Sequence, residues 1–224
     1  MTDDLNRYKE FGRKLVDRSS TLLMRYYRTK VKIENKEDDS PVTIADKNTE
    51  KMMRKLIMKE FPDHGIVGEE FGEYNPMAIY KWIIDPIDGT KSFIAGSPLF
   101  GTLIALLKND YPIMGIINLP VLKETLIGDN RQTELNGIPV SFRPCNNLSS
   151  ALLLTTDIMN IEKYQDIKRF NRLMKQTKLF RTWGDCYGYY LLATGYADIM
   201  VDPIMSAWDL LALIPVIRVA GGII

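Results

Sequence analysis

Apolar positions follow a helical period at the start of the chain. From Asp3 to about Arg28, Leu5, Tyr8, Leu15, Leu22, Leu23 and Tyr26, with Ser19 among them, lie close to one face and predict a long amphipathic helix. The charged stretch from Lys32 to Ser40, closed by Pro41, predicts a solvated loop or ribbon. After Val42-Thr43-Ile44-Ala45-Asp46, a second helix is expected over Lys47 to Lys59, with Met52, Met53, Leu56 and Ile57 on one side and Pro62 beyond its end. Its methionines read as core filler. The pattern then shortens to that of strands. Ile66-Val67-Gly68 runs into Glu69 and Glu70, and Trp82-Ile83-Ile84 predicts a buried strand that delivers Asp85 at its carboxyl end, where Pro86 should stop the ladder. Runs at Thr102 to Leu107, Ile113 to Leu119 and Glu124 to Ile127 predict an antiparallel meander, and Asn136-Gly137 marks a hairpin.

Beyond Leu148 strand and helix alternate. Strands are expected at Ala151 to Thr156, Lys178 to Trp183 and Asp198 to Asp202. Helices are expected at Ile161 to Gln176, at Cys186 to Thr194 with Gly195 as its stop, and from Trp208-Asp209 to Gly221-Gly222 with an interruption at Pro215. This order predicts an α/β (α+β) protein. Residues 1–142 would form a helix pair on an antiparallel sheet, residues 143–224 an α/β half, and the two together one compact sandwich. Neither a repeat nor a low-complexity linker divides them.

Composition narrows the classes. A formal net charge of +1, with lysines and arginines spread along the chain, gives no electrostatic case for nucleic acid or an anionic membrane. No apolar run reaches the length of a membrane span, and Met1-Thr2-Asp3-Asp4 lacks the pattern of a signal peptide, so a cytoplasmic protein is expected. Cys145 and Cys186 have no metal-site spacing and are expected as buried thiols. The single histidine, His64, excludes Ser-His-Asp catalysis and multi-histidine metal sites, and it reads as structural or exposed.

The chemistry gathers on acids. With Pro86 fixing φ and Gly89 allowing a tight bend, Asp85 and Asp88 can face each other and the Ile87 carbonyl can turn inward. Two such carboxylates repel unless a proton or cation lies between them, and hard oxygen donors suit Mg²⁺. Taken singly, each acid has a plainer reading: Asp-Pro and Asp-Gly are common turn dipeptides, Glu-Glu is usually solvated, and Asp209 alone reads as a capping acid. Together Glu69, Asp85, Asp88 and Asp209 occupy strand ends and a helix start, where α/β folds assemble sites. Thr90, just after Gly89, would offer an anion its N–H and hydroxyl.

Gly68-Glu69-Glu70, Asp85-Pro86-Ile87-Asp88-Gly89-Thr90 and Trp208-Asp209 ahead of Ala220-Gly221-Gly222 resemble, in order and spacing, the inositol-monophosphatase superfamily of Mg²⁺-dependent, Li⁺-sensitive phosphatases. The resemblance spans nearly the whole chain and implies an αβαβα sandwich, usually a homodimer. It implies Glu69, Asp85, the Ile87 carbonyl, Asp88 and Asp209 as metal ligands. Asp46 and Thr90 would orient the attacking water, with Glu69 counted in the same catalytic set. The amides of Gly89 and Thr90 would hold phosphate, with Asp209 also facing substrate.

Within that superfamily Ser40-Pro41-Val42-Thr43, Phe61-Pro62-Asp63-His64-Gly65, Ser92-Phe93 with Gly101 to Ala105, and Arg181 to Tyr189 resemble the histidinol-phosphate phosphatase branch. The last segment sets Asp185 beside the substrate, where it and Asp202 can pair with the ammonium and imidazole of histidinol phosphate. Asp185 can also be read as a cap of the following helix. Gly128 to Glu134 is shorter than the glycine-rich hairpin usual in the family, Val219 stands where an acid is common, and members continue about one strand-turn-strand segment past Ile224. Part of the second sheet is therefore expected to be missing. The remaining readings are a phosphatase for inositol phosphates or another small ester, and a non-catalytic metal-binding or partner-binding remnant.

Overall fold

The computed structural model describes residues 2–30, 33–35 and 41–224. Two helices, α1 (Thr2–Tyr26) and α2 (Ile44–Glu60), flank a short antiparallel ribbon of β1 (Ile33–Asn35) and β2 (Pro41–Thr43). The expected loop between the ribbon strands, at 36–40, lies outside the described residues, as does Ser40. Then follow β3 (Gly65–Gly68), β4 (Gly72–Tyr74), β5 (Tyr80–Asp88), α3 (Thr90–Ile94), β6 (Gly101–Lys108), β7 (Tyr111–Leu119), β8 (Glu124–Gly128), β9 (Thr133–Leu135) and β10 (Ile138–Pro139). They build an eight-stranded sheet in the order β10-β9-β8-β7-β6-β5-β3-β4. At its β9–β10 end, Asn136 (φ 49°) and Gly137 (φ 86°) make the expected hairpin, both in the left-handed region that a type I′ turn requires.

The sheet is mixed, where a purely antiparallel one was expected. β3 pairs with β4 in a hairpin, and the segment after β4 carries the chain back so that β5 runs parallel to β3 on its other side. The rest of the chain gives β11 (Leu152–Leu154), α4 (Ile158–Tyr164), α5 (Ile167–Gln176), β12 (Leu179–Arg181), α6 (Asp185–Ala193), β13 (Ile199–Met200), α7 (Ala207–Leu210) and α8 (Leu213–Val219). β12, β11 and β13 form a parallel three-stranded sheet.

Alternation along the strands sets the layers. Trp82, Ile84, Ile104 and Leu106 face Phe11, Leu15, Met53 and Ile57 of α1 and α2, whereas Ile83, Leu103, Ala105 and Leu107 face α6 and α8. In the second sheet Leu152 and Leu154 join that central core, and Leu153 turns outward onto Ile161 and Phe170 of α4 and α5. The result is the expected αβαβα order of layers.

Three local expectations are corrected. The helix expected over Ile161 to Gln176 is two, because Asp166 turns out of helical geometry and caps α5 through Lys168 N (3.0 Å) and Arg169 N (3.1 Å). The last helix breaks between Leu210 and Leu213 rather than at Pro215, which sits in the first turn of α8, where no intrahelical N–H is needed. Cys145 is exposed; only Cys186 is buried.

Candidate active site

Parallel pairing of β3 with β5 puts Gly68 opposite Ile84, so the next residues, Glu69 and Asp85, stand side by side where that pairing ends. Asp85 shares the face of Ile83 and is only 2% exposed, in an interior where apolar side chains each gain about 1.5–3 kcal/mol by burial. Pro86 does not end the strand. It opens a bulge: pairing with β6 lapses after Asp85 and Leu103 and resumes at Asp88 and Gly101. The two carbonyls released from the ladder are satisfied by hydroxyls, Pro86 O by Thr102 (2.9 Å) and Ile87 O by Thr90 (3.0 Å). The Ile87 N–H folds back onto Asp85 Oδ1 (2.9 Å).

Asp209 arrives from the other side. As the third residue of α7 it accepts from the Ser206 N–H (2.7 Å) in a capping box, so the capping reading holds, and it also reaches the site. Carboxylate oxygens of Asp85, Asp88 and Asp209 lie within 4.8 Å of one another. Burial, then the charges of Glu69, Asp88 and Asp209, raise Asp85 well above the usual carboxylate range; burial, Asp185 and Asp209 do the same for Asp88. The backbone N–H of Cys186 donates to Asp88 Oδ2 and opposes that shift. Oxygen-only donors under mutual repulsion fit a hard divalent cation, which would relieve the repulsion that protons otherwise must.

Asp46 closes the capping box of α2, accepting on Oδ2 from Thr43 N (2.8 Å) and Thr43 Oγ1 (2.6 Å). Its other oxygen faces Thr90 Oγ1 at 3.5 Å. Burial raises its pKa against the lowering effect of the Thr43 hydrogen bonds. Gly89, at φ 84°, makes the turn into α3, and a Cβ there would lie 3.0 Å from Asp185 Oδ2 and 3.2 Å from Leu99 O. Glycine is therefore favoured twice at this position, for its conformation and because a Cβ would press on Asp185 and Leu99. Because α3 spans only five residues, an anion here would be held by individual N–H groups rather than by a long helix dipole.

A cavity of about 640 Å³ opens over these groups, with Glu69, Asp88, Thr90, Asp185, Asp202 and Asp209 in its wall. Asp185 does not cap α6: Gly184 holds that position and no side chain caps the helix. Asp185 instead adopts φ 50°, donates its N–H to Thr156 Oγ1 (2.9 Å) and is pushed up to about 6 by burial and by Asp202. Thr156 also donates its own N–H to Asp202 Oδ1 (3.0 Å), and the Tyr189 hydroxyl reaches Asp202 Oδ2 at 3.2 Å. Thr156, which ties the two acids together, was not singled out from sequence; its only signal was its place at the end of a buried strand. His64 lies apart from the cavity, stacked on Phe61 (4.7 Å) and Tyr80 (5.0 Å) with Nδ1 accepting from Trp82 Nε1 (3.1 Å). Its role is structural.

An αβαβα sandwich with an acid cluster at the strand ends is the fold of the inositol monophosphatases. The structure superposes on an inositol monophosphatase from Zymomonas mobilis with a TM-score of 0.85 at 36% identity, over 98% of this chain and 84% of that one. It also matches an inositol monophosphatase of Thermotoga maritima, with a TM-score of 0.86 at 27% identity, over 96% of this chain and 84% of that one. The sequence model of the inositol monophosphatase family matches residues 4–224, and the chain belongs to that family. Among its relatives is the chloroplastic bifunctional phosphatase IMPL2 of Arabidopsis thaliana, 45% identical over 224 residues, or 99% of this chain and 64% of that protein. A histidinol-phosphatase of Chlorobaculum parvum is 38% identical over 99% of this chain and 85% of its own length. Among the described residues no helix is long and apolar enough to cross a membrane.

Proposed function

We propose that the chain is a Mg²⁺-dependent phosphomonoesterase that hydrolyses L-histidinol phosphate to L-histidinol and phosphate. The observation that carries this reading is the pair Asp185 and Asp202, bridged by Thr156, in the wall of the cavity that also holds the acid cluster. An ester with a phosphate at one end and an ammonium and an imidazole at the other matches such a cavity, whereas an inositol would leave two half-buried carboxylates facing hydroxyls. Histidinol-phosphatase relatives at 38% and 34% identity support the same choice.

In this reading Glu69, Asp85, the Ile87 carbonyl, Asp88 and Asp209 hold the cation. When bound it supplies positive charge to the phosphoryl oxygens and the leaving group. The N–H groups of Gly89 and Thr90 hold the phosphate with its scissile P–O bond turned away from Thr90. Thr90 donates its hydroxyl proton to Ile87 O or Asp46, which leaves its lone pairs to accept from a water and aim that oxygen at phosphorus. Asp46, with one oxygen committed to Thr43, keeps the other for Thr90. The water oxygen bonds to phosphorus as the ester P–O bond breaks; of the water's two protons one stays on the phosphate, and the other is passed through solvent to the leaving alkoxide, which becomes histidinol. The expected homodimer and cytoplasmic location belong to this reading as well.

Phosphate release from L-histidinol phosphate, an inositol monophosphate and p-nitrophenyl phosphate, each with and without Mg²⁺, is the test. The reading expects Mg²⁺-dependent turnover with kcat/KM highest for histidinol phosphate. Preference for the inositol ester would assign a different substrate, and Mg²⁺ binding without turnover on any ester would make the chain a non-catalytic metal-binding protein.

A further inference from the structure

Helix α2 presents Asp46, Glu50 and Arg54 at successive i, i+4 positions, hence on one face, and all three are buried, at 1%, 0% and 9% exposure. Asp46 reaches the site, but Glu50 does not line the cavity, and nothing in the proposed chemistry uses it. A carboxylate with no exposure needs a reason, since an unpaired one would lose its hydration without compensation. Its partners supply that reason. Glu50 Oε2 accepts from the Glu70 N–H (2.7 Å), and Oε1 accepts from the Phe71 N–H (3.1 Å) and from Arg54 Nε (2.8 Å). Arg54 in turn donates through Nη2 to the carbonyl of Gly72. On the near side Gly68 is pressed so closely that a Cβ there would collide with the Glu50 carboxylate.

These contacts bracket one residue. Glu70, Phe71 and Gly72 are held by hydrogen bonds to Glu50 or Arg54, Gly68 packs against the Glu50 carboxylate, and Glu69 lies between them at the β3–β4 turn. We infer that Glu50 is a positioning residue that fixes the backbone on both sides of Glu69 and thereby aims the Glu69 carboxylate at the cation site. The inference rests on Glu69 being a metal ligand. It makes α2 a splint, with Asp46 at one end facing Thr90 and Glu50 one turn on gripping the metal-side strand end. Glutamine at position 50 would keep the size but turn an NH₂ toward an N–H or a guanidinium, setting donor against donor on one side of the turn.

The test is a metal titration independent of turnover. Mn²⁺ binding, followed by electron paramagnetic resonance or calorimetry, is compared for wild type, Glu50→Gln, Glu69→Gln and the double variant, with kcat measured at saturating Mg²⁺. Loss of an outer group that orients a ligand typically weakens metal affinity about 10–100-fold. Glu50→Gln is therefore expected to raise the Mn²⁺ Kd by about 10-fold while kcat at saturating Mg²⁺ stays within about threefold. The double variant should bind Mn²⁺ no more weakly than Glu69→Gln alone, because both changes act through one side chain. Weakened binding in Glu69→Gln with normal binding in Glu50→Gln overturns the inference, as does an additive double variant. Normal binding in Glu69→Gln overturns the ligand reading on which the inference rests. Should Glu50→Gln not fold, Arg54→Met decides: it frees the Gly72 carbonyl and one side of Glu50, and an unchanged Mn²⁺ Kd there refutes the splint.

Discussion

Replacing Asp88 by asparagine separates the cost of the acid cluster from its use. Two unit charges 4.8 Å apart, the outer limit of the Asp85, Asp88 and Asp209 oxygens, repel by about 3.5 kcal/mol at an effective dielectric constant of about 20. Part of that repulsion is relieved by proton uptake, as the raised pKa values of Asp85 and Asp88 show, so the recoverable share is about 1–3 kcal/mol. Asparagine can keep its oxygen on the Cys186 N–H and turn its NH₂ toward Asp85 or Asp209, so no buried partner is lost. The metal-free Asp88→Asn protein should thus melt above metal-free wild type by about 2–12 °C, using about 2–4 °C per kcal/mol for a chain of this size. With Mg²⁺ at about 1,000 times its Kd, wild type gains about 4.1 kcal/mol and the order should reverse. Turnover of the variant should fall by several orders of magnitude, because the cation supplies most of the charge stabilisation. Differential scanning calorimetry with EDTA and with Mg²⁺, beside a phosphate-release assay, reads all of this. A variant that melts below wild type in EDTA, or that gains as much from Mg²⁺ as wild type does, refutes the cluster as a cation site.

The layers were legible because each strand obeys its period. Trp82, Ile83 and Ile84 are all apolar since both faces of β5 are covered, and the same holds for Leu152 to Leu154 in the smaller sheet. Parallel pairing of β3 with β5 was not legible, because the order of strands in a sheet depends on which edge the chain returns to, and that choice leaves no local mark. The consequence reaches the site, since that pairing is what sets Glu69 beside Asp85. Pro86 misled for a related reason. A missing N–H ends a regular ladder, yet a bulge tolerates it, and here Thr102 takes over the freed carbonyl from the next strand. Acids at strand ends stood out by residue type and spacing. Glu50 and Thr156 did not: a glutamate inside a helical pattern and a threonine after a strand look ordinary until the backbone groups they hold are brought to them from 20 and 29 residues away.

Two further outcomes are expected. Asp185→Asn should lower kcat/KM for histidinol phosphate by about 1.5–3 kcal/mol, the range for a hydrogen bond to a charged group, and leave p-nitrophenyl phosphate nearly unaffected; equal losses on both esters would make Asp185 a backbone element alone. The other concerns pH in the metal-free protein. Asp185 has a folded pKa of about 6 against about 3.9 for an unperturbed aspartate, and Asp88 is raised in the same sense, so between these values the folded state holds more protons than the unfolded one. The stability these groups contribute is complete below about pH 3.9 and is lost as pH rises through their folded pKa values. Asp129, held below the usual carboxylate range by the Gln132 N–H and by Arg131 and Lys9, and Asp198, held there by Arg143, act in the opposite sense and destabilise the fold as pH falls. A difference measurement removes them. The Tm of Asp88→Asn minus that of wild type, both in EDTA, should be close to zero near pH 4 and grow toward pH 7. A difference that is constant over that range would mean that charge repulsion in the cluster is not what the substitution relieves.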